Sequence, residues 1–193
     1  MFMKKQIFCV LIILLVGLGV SAQTIDKSVE QIRSIYTDVS EKARLAESDK
    51  GRGEFGDLVM NELTINKSNH QWRSVGVFRQ TYKFFYKGGD SEEHMYPDQL
   101  VMVRVERRES DRSYVNEYLF GDSGELLFYF QKAENDKLAP AERRVYFAGG
   151  RPIRVIEDGK TRDRLSIKSS GTLKDISFES AKIRELFLKS TKL

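Results

Sequence analysis

The spacing of apolar residues changes near residue 57 and divides the chain into a helical part and a β-rich part. Before this point, apolar residues recur every three or four positions from Ile25 to Ala46, which predicts an amphipathic helix from about Thr24 to Ser48. The stripe ends in alanines and no second heptad segment follows it, so a helix packed on a sheet is favoured over a coiled coil. Three glycines between Ser48 and Asp57 end the helix.

After this point, apolar and polar residues alternate, and short glycine-rich or charged turns separate the alternating segments. The segment DLVMNELTIN predicts a strand, and a second strand, long or bent at Gly76, runs from Trp72 to Tyr86. In QLVMVRVERR, we expect Val101 and Val103 on one face of a strand and Met102 on the other. Strands joined by such short turns form an antiparallel meander.

The segment FGDSGELLFYF joins a tight turn to a strand that is apolar on both faces. Simple alternation places Leu126, Phe128 and Phe130 on one face, with Leu127 and Tyr129 on the other. A strand that is apolar on both faces belongs in the middle of a covered sheet. We expect the N-terminal helix on one face, and sheet curvature, a C-terminal helix or a ligand on the other.

The segment SFESAKIRELFLKS predicts a second helix, which Ser177 caps and which covers an edge or end of the sheet. The predicted fold class is therefore α+β: a long N-terminal helix packed on a curved antiparallel meander sheet of about seven or eight strands, with a short C-terminal helix. No long linker interrupts residues 23–193, so we expect them to form a single domain.

The first 22 residues have the three parts of a signal peptide. Lys4 and Lys5 precede an uncharged apolar run, and Val20-Ser21-Ala22 supplies small residues before a cleavage site after Ala22. A retained membrane anchor is the alternative, but the run is shorter than the roughly 20 residues that span a bilayer. We therefore expect an exported protein, periplasmic or at the cell surface, with no transmembrane segment after cleavage.

Cysteine usage and charge narrow the possible functions further. The only cysteine, Cys9, lies in the signal peptide, so the mature chain has no disulfide, thiol nucleophile or cysteine metal ligand, as in many bacterial envelope proteins. Basic residues number 32 and acidic residues 28, and two of the basic residues, Lys4 and Lys5, leave with the signal peptide. The nearly balanced charge excludes a nucleic-acid binder.

The sequence carries no recognisable catalytic or cofactor motif. His94 follows Asp90, Glu92 and Glu93, but adjacent side chains on one loop rarely converge on a metal ion, so we expect a solvated acidic loop and no metal site. The glycine pairs lie between strands and not before a helix, where a phosphate cradle would need them. We therefore predict a protein that is not an enzyme and has no cofactor.

Carboxylates on neighbouring strands leave one enzymatic alternative open, a hydrolase of an envelope polymer. Glu106, Glu117 and Glu125 are its candidate residues, because a pair of carboxylates can hydrolyse a glycosidic bond. Cross-strand pairing with arginines such as Arg104 explains the same residues as structural. A purely structural envelope component is the third possibility.

Two segments, YLFGDSGELLFYF and VYFAGGRPIRVIEDGK, share an aromatic residue, a turn glycine and then apolar alternation. They resemble the hairpin repeats of MORN-type and YwqK-like proteins, and this resemblance implies a scaffold or partner-binding role. The order of elements also resembles that of periplasmic lipoprotein carriers, in which a half-barrel wraps an apolar cavity. More broadly, the chain is similar to small exported proteins of unknown function from Gram-negative bacteria.

The leading functional hypothesis is an exported, non-enzymatic binding protein of the bacterial envelope. Its sheet would bind an envelope protein, a glycan or an apolar ligand such as a lipid, through the aromatic ladder Tyr82, Phe84 and Tyr86, with Trp72 nearby. The alternative is that this ladder forms the core beneath the first helix. The sequence leaves the oligomeric state open.

Overall fold

The computed structural model describes residues 2–48, 58–88, 92, 97–163, 165 and 170–191, with side chains from residue 23 onward except at Asp98. Helices and strands follow one another in the predicted order. They are α1 (Phe2–Glu47), β1 (Val59–Ile65), β2 (Gln71–Trp72), β3 (Gly76–Gly88), β4 (Pro97–Glu109), β5 (Arg112–Phe120), β6 (Leu126–Glu134), β7 (Glu142–Ala148), β8 (Arg151–Glu157), β9 (Lys160–Asp163) and α2 (Gly171–Thr191).

The strands form one antiparallel sheet in chain order, β1-β3-β4-β5-β6-β7-β8-β9, with β2 paired to β3. The α+β meander is therefore confirmed. The predicted strand from Trp72 to Tyr86 is in fact two strands, because the chain reverses over residues 73–75 and Trp72 pairs with Gly76. Gly76 has φ +69°, a conformation that glycine adopts without strain. The strand β9 was not expected, because its four residues carry no apolar alternation.

The helix α1 lies on one face of the sheet, called here the α1 face. Its predicted stripe is confirmed, since Val29, Ile32, Val39 and Ala43 are buried against the sheet. The helix begins at Phe2, well before the predicted Thr24, and ends at Glu47, next to the predicted end.

Three of the four register shifts between the described strands correct the predicted alternation of side chains. Register shifts leave Val101, Leu127 and Ile153 without a directly opposite partner in β4, β6 and β8. Each extra residue lies in the cluster beneath α1, where Val101 directly precedes Met102 and Leu127 directly precedes Phe128, two residues of the same cluster. The period of two predicted that Val101 and Val103 share a face, but in the structure they lie on opposite faces of the sheet. Likewise, Leu126 and Phe128 lie on opposite faces of the sheet, and so do Leu127 and Tyr129.

The helix α2 covers part of the other face, called here the α2 face, and not an edge or end as expected. It begins at Gly171, where Ser170 Oγ accepts a hydrogen bond from the Leu173 N–H at 3.4 Å. The predicted cap, Ser177, lies inside the helix and donates to the Leu173 carbonyl at 3.0 Å. Helices thus pack on both faces of the sheet, with β4 and β6 among the strands that contact each of them.

Candidate functional site

The aromatic ladder of β3 lies on the α2 face, so it is not the core beneath the first helix. The Phe187 ring of α2 lies 5.8 Å from the ring of Phe84 and 5.2 Å from that of Tyr86. Both ladder residues are buried, and the Tyr86 hydroxyl donates to Asn61 Oδ1 at 3.2 Å. A ligand could reach these two predicted site residues only if α2 moved.

Tyr82 marks the point on β3 where the cover of α2 ends. It is half-buried, and its ring lies parallel to that of Phe84 with 6.0 Å between the centroids. Gln80 donates from Nε2 to its hydroxyl. Burial raises the pKa of Tyr82, and the nearby charge of Glu179 on α2 raises it further. Tyr82 is therefore a neutral, accessible aromatic group beside the covered core.

Trp72 lies in β2, which folds back against the start of β3. Its indole stacks on Phe78 with 4.9 Å between ring centroids and 46% of the residue exposed. Trp72 pairs with Gly76, six positions before Tyr82, which corresponds to about 20 Å along an extended strand. The two predicted residues that remain accessible thus lie at opposite ends of an uncovered stretch of β3.

The edge strand β1 supplies apolar side chains to the same uncovered stretch. Asn61 contacts Tyr86 on the α2 face, so alternation places Leu63 and Ile65 on this face as well. Leu63 lies opposite Tyr82 in register, and both β1 residues are 39% exposed. We call the group Leu63, Ile65, Trp72, Phe78 and Tyr82 the open face. The sequence analysis missed Leu63 and Ile65, although the position of their strand as the first of a meander indicated a sheet edge.

The two edges of the sheet differ in length and chemistry. At one edge, β9 has only four residues, Lys160–Asp163, and its Asp163 accepts two hydrogen bonds from Arg154, each of 2.7 Å. At the other edge, β1 has seven residues with one charged side chain, Glu62. No described residue pairs with the outer edge of β1. Short, charged edge strands resist pairing with other chains, whereas β1 lacks this protection.

The carboxylates of the hydrolase alternative do not meet as a set in the structure. Arg104 donates from Nε to Glu117 Oε1 at 2.8 Å, and Lys83 lies 3.0 Å from Glu106 Oε1. Glu125 lies in the β5–β6 turn, where it accepts a hydrogen bond from Ser123. Glu117 thus takes part in the cross-strand pairing with arginine that the sequence analysis offered as the structural explanation. Glu106 also takes part in a cross-strand pair, but its partner is a lysine.

The predicted acidic loop around His94 lies outside the described residues apart from Glu92. His70 is exposed, and its backbone N–H donates to Asn66 Oδ1 at 2.9 Å. Within the described ranges, no three histidine, cysteine or acidic side chains cluster closely enough to hold a metal ion.

Comparison with known proteins adds no family to these observations. No family model, curated protein or solved structure matches the chain. Across the part of the chain that the structure covers, no helix is long and apolar enough to cross a membrane.

Proposed function

We propose that this chain is an exported, non-enzymatic protein of the bacterial envelope that binds an extended segment of a partner protein along β1. The observation that carries the proposal is the seven-residue, mostly apolar edge strand β1 next to the open face, whose outer edge pairs with none of the described residues. An added strand would pair with the backbone of β1, while its alternate side chains would pack on Leu63, Ile65 and Tyr82.

An extended peptide fits this surface better than a compact small molecule does. The open face is a strip along two strands, and it ends at the Trp72–Phe78 stack. An edge strand offers main-chain donors and acceptors along its whole length, which give affinity without regard to sequence. The apolar strip beside it then selects segments with apolar residues at every second position.

Glu62 favours a partner with a basic residue at the centre of the pairing segment. Lys83 lies opposite Glu62 in register, but its ammonium group contacts Glu47 and Glu106 instead. No described cation lies within 4.0 Å of the Glu62 carboxylate, which accepts a hydrogen bond from Thr64. Full antiparallel pairing of β1 with β1 of a second copy would place Glu62 against Glu62, and such like-charge pairs are destabilising.

Export rests on the sequence of residues 1–22. Two lysines, an uncharged apolar run and the small residues before Ala22 form the signal pattern, and the only cysteine lies within it. Recovery from the envelope fraction of a chain that begins at Gln23 supports export with cleavage. Recovery of the full-length chain from the cytoplasm contradicts it.

The binding proposal is tested by cross-linking and affinity capture from the native envelope with matched variants. Leu63→Asp places a charge in the open face, whereas Leu138→Asp makes the same change at a 96% exposed position in the β6–β7 connection. Burying an unpaired charge against a bound strand is costly, so we expect Leu63→Asp to lower capture of the specific partner by about tenfold or more. Leu138→Asp should retain wild-type capture, with cross-links of the partner near β1.

Equal capture by both variants, or cross-links that fall only on β9 or α2, would overturn the proposal. Circular dichroism of each variant establishes that it folds, and both changes are at exposed positions, so loss of folding is not expected.

A further inference from the structure

A cavity of about 320 Å³ lies on the α1 face, on the opposite side of the sheet from the open face. It is formed between the middle of α1 and strands β6 and β7. Its lining residues are Arg33, Tyr36, Thr37, Phe128, Phe130, Arg144 and Tyr146. The volume is at the lower end of the range for small-molecule sites, so an occupant would be small.

Packed aromatic rings form the floor of this cavity. The Phe128 ring lies 4.7 Å from that of Tyr36 and 4.9 Å from that of Tyr146, measured between centroids. Phe128 and Tyr146 are buried, and the Tyr36 hydroxyl donates to the buried carboxylate of Glu117. These contacts hold the rings in place, so the apolar floor exists before any ligand binds.

Two arginines stand at the rim of the cavity. Arg33 donates from Nε to the Tyr146 hydroxyl at 3.1 Å, and its guanidinium carbon lies 5.5 Å from the Tyr146 ring centroid. No carboxylate in the described part of the chain lies within 4.0 Å of the Arg33 guanidinium. The two contacts with Tyr146 thus orient the exposed guanidinium of Arg33 and leave its terminal N–H groups available to a ligand.

Arg144 supplies the second positive charge. Its guanidinium carbon lies 6.0 Å from the Phe130 ring centroid, and its Nη2 lies 2.8 Å from Glu142. Both members of this ion pair are more than two-fifths exposed, and such pairs contribute little in water. A competing anion in the cavity can therefore share Arg144 at small cost.

We propose that this cavity binds a small organic anion, a carboxylate carried on an aromatic or short apolar body. The body would pack on the ring floor of Tyr36, Phe128 and Tyr146, where displacement of water favours apolar groups. The carboxylate would accept hydrogen bonds from the terminal N–H groups of Arg33, whose planar fork matches a carboxylate. The site is separate from β1 and does not depend on the function proposed above.

The test is an NMR titration of the mature protein with 3-phenylpropionate and with its neutral amide, 3-phenylpropanamide. The two probes have the same aromatic body and nearly the same size, and they differ only in the head group, which is a charged acceptor in the acid and a neutral amide with N–H donors in the other. We expect the acid to shift the amide signals of Arg33, Thr37 and Phe130 and to bind about tenfold or more tightly than the amide.

Matched variants identify the group responsible. Arg33→Gln should weaken binding of the acid about tenfold, whereas Arg73→Gln, the same change in the exposed β2–β3 turn, should leave it unchanged. Tyr146→Phe keeps the ring but removes the hydroxyl that orients Arg33, and it should weaken binding of the acid about threefold with little effect on the amide.

Several results would overturn the proposal. They are equal affinities for acid and amide, wild-type affinity of Arg33→Gln, shifts confined to residues far from the cavity, or no binding up to about 20 mM of the acid. Arg33 is an exposed residue of a helix, so its variant should fold, and unchanged signals in β3 would show that it does.

Discussion

Glu117 is a buried acid on which two parts of the chain converge. It is only 6% exposed, and its carboxylate accepts hydrogen bonds from Tyr36 of α1 and from Arg104 of β4. Arg104 also donates to Glu47 near the end of α1 at 2.7 Å. These bonds fix the position of α1 along the sheet, because they are directional where the apolar contacts are not.

Loss of the Glu117 carboxylate should therefore destabilise the fold. Glu117→Ala leaves the Tyr36 hydroxyl without its partner and Arg104 short of one, so we expect a loss of about 2–4 kcal/mol in the free energy of unfolding. Chemical denaturation measures this change. The exposed residue Glu134 provides the matched control, and Glu134→Ala should not change the midpoint of chemical denaturation. Equal effects of the two changes would show that the Glu117 contacts contribute little.

Three tyrosines with a raised pKa predict a loss of stability at alkaline pH. Burial is the main cause that raises the pKa of Tyr36, Tyr118 and Tyr129 above the ordinary value. The charge of Glu117 raises the pKa of Tyr36 further, and the charge of Glu179 does the same for Tyr118 and Tyr129. Because each pKa is higher in the folded than in the unfolded chain, the three hydroxyls contribute fully to the free energy of unfolding below about pH 10, where the unfolded chain also keeps its tyrosine protons. Above that pH the unfolded chain ionises first and stability falls, by up to about 1.4 kcal/mol per pH unit for each group.

An absorbance titration of tyrosinate checks this prediction. The chain has eight tyrosines, and we expect only the accessible ones to ionise near pH 10 in the folded protein. The buried ones should ionise together with the loss of circular dichroism. Ionisation of all eight below the unfolding transition would contradict the placement of the three hydroxyls.

At the level of secondary structure, the regular parts of the pattern were predictable and the bulges were not. The stripe of α1 follows from the helix period, and its face is confirmed for its buried members. The regular alternation of β5 likewise follows the strand period, with Tyr118 and Phe120 on one face and Leu119 on the other. The bulges at Val101, Leu127 and Ile153 shift the period by one. No glycine or proline adjoins Val101 or Leu127, whereas Ile153 follows Pro152, a residue type that occurs at bulges. Such a shift is set by pairing with the neighbouring strand and by the helix above it.

The role of α2 as a cover can be measured with two phenylalanines of the same helix. Phe187 is fully buried against the β3 ladder, whereas Phe178 is 61% exposed and lies beside Lys182. Phe187→Ala should lower the free energy of unfolding by about 3–5 kcal/mol, because it removes a ring and leaves a cavity. Phe178→Ala should have an effect below about 0.5 kcal/mol. Similar losses for both variants in thermal or chemical unfolding would contradict the placement of α2.

At the scale of the whole molecule, α1 lies on one face of the sheet, whereas α2 covers only part of the other face. The sequence predicted a sheet with cover on both sides, and it predicted the aromatic ladder of β3 as one group. It could not predict that α2 would end its cover between Tyr82 and Phe84, because that boundary depends on a contact with Phe187, about a hundred residues away along the chain. The candidate site was therefore half predicted: Trp72 and Tyr82 are accessible, Phe84 and Tyr86 are covered, and Leu63 and Ile65 were missed.

The central claim is that β1 accepts a further strand, and hydrogen exchange of its backbone amides tests it most directly. The probe is a blocked peptide of the same length as β1, Val-Thr-Val-Lys-Val-Thr-Val, which places lysine opposite Glu62 and valines beside the open face. The control peptide has glutamate in place of lysine. We predict slower exchange in residues 59–65 with the lysine peptide, a weaker effect with the glutamate peptide, and no change in β9. Unchanged exchange of β1 at saturating peptide, or equal protection of β9, would contradict the account.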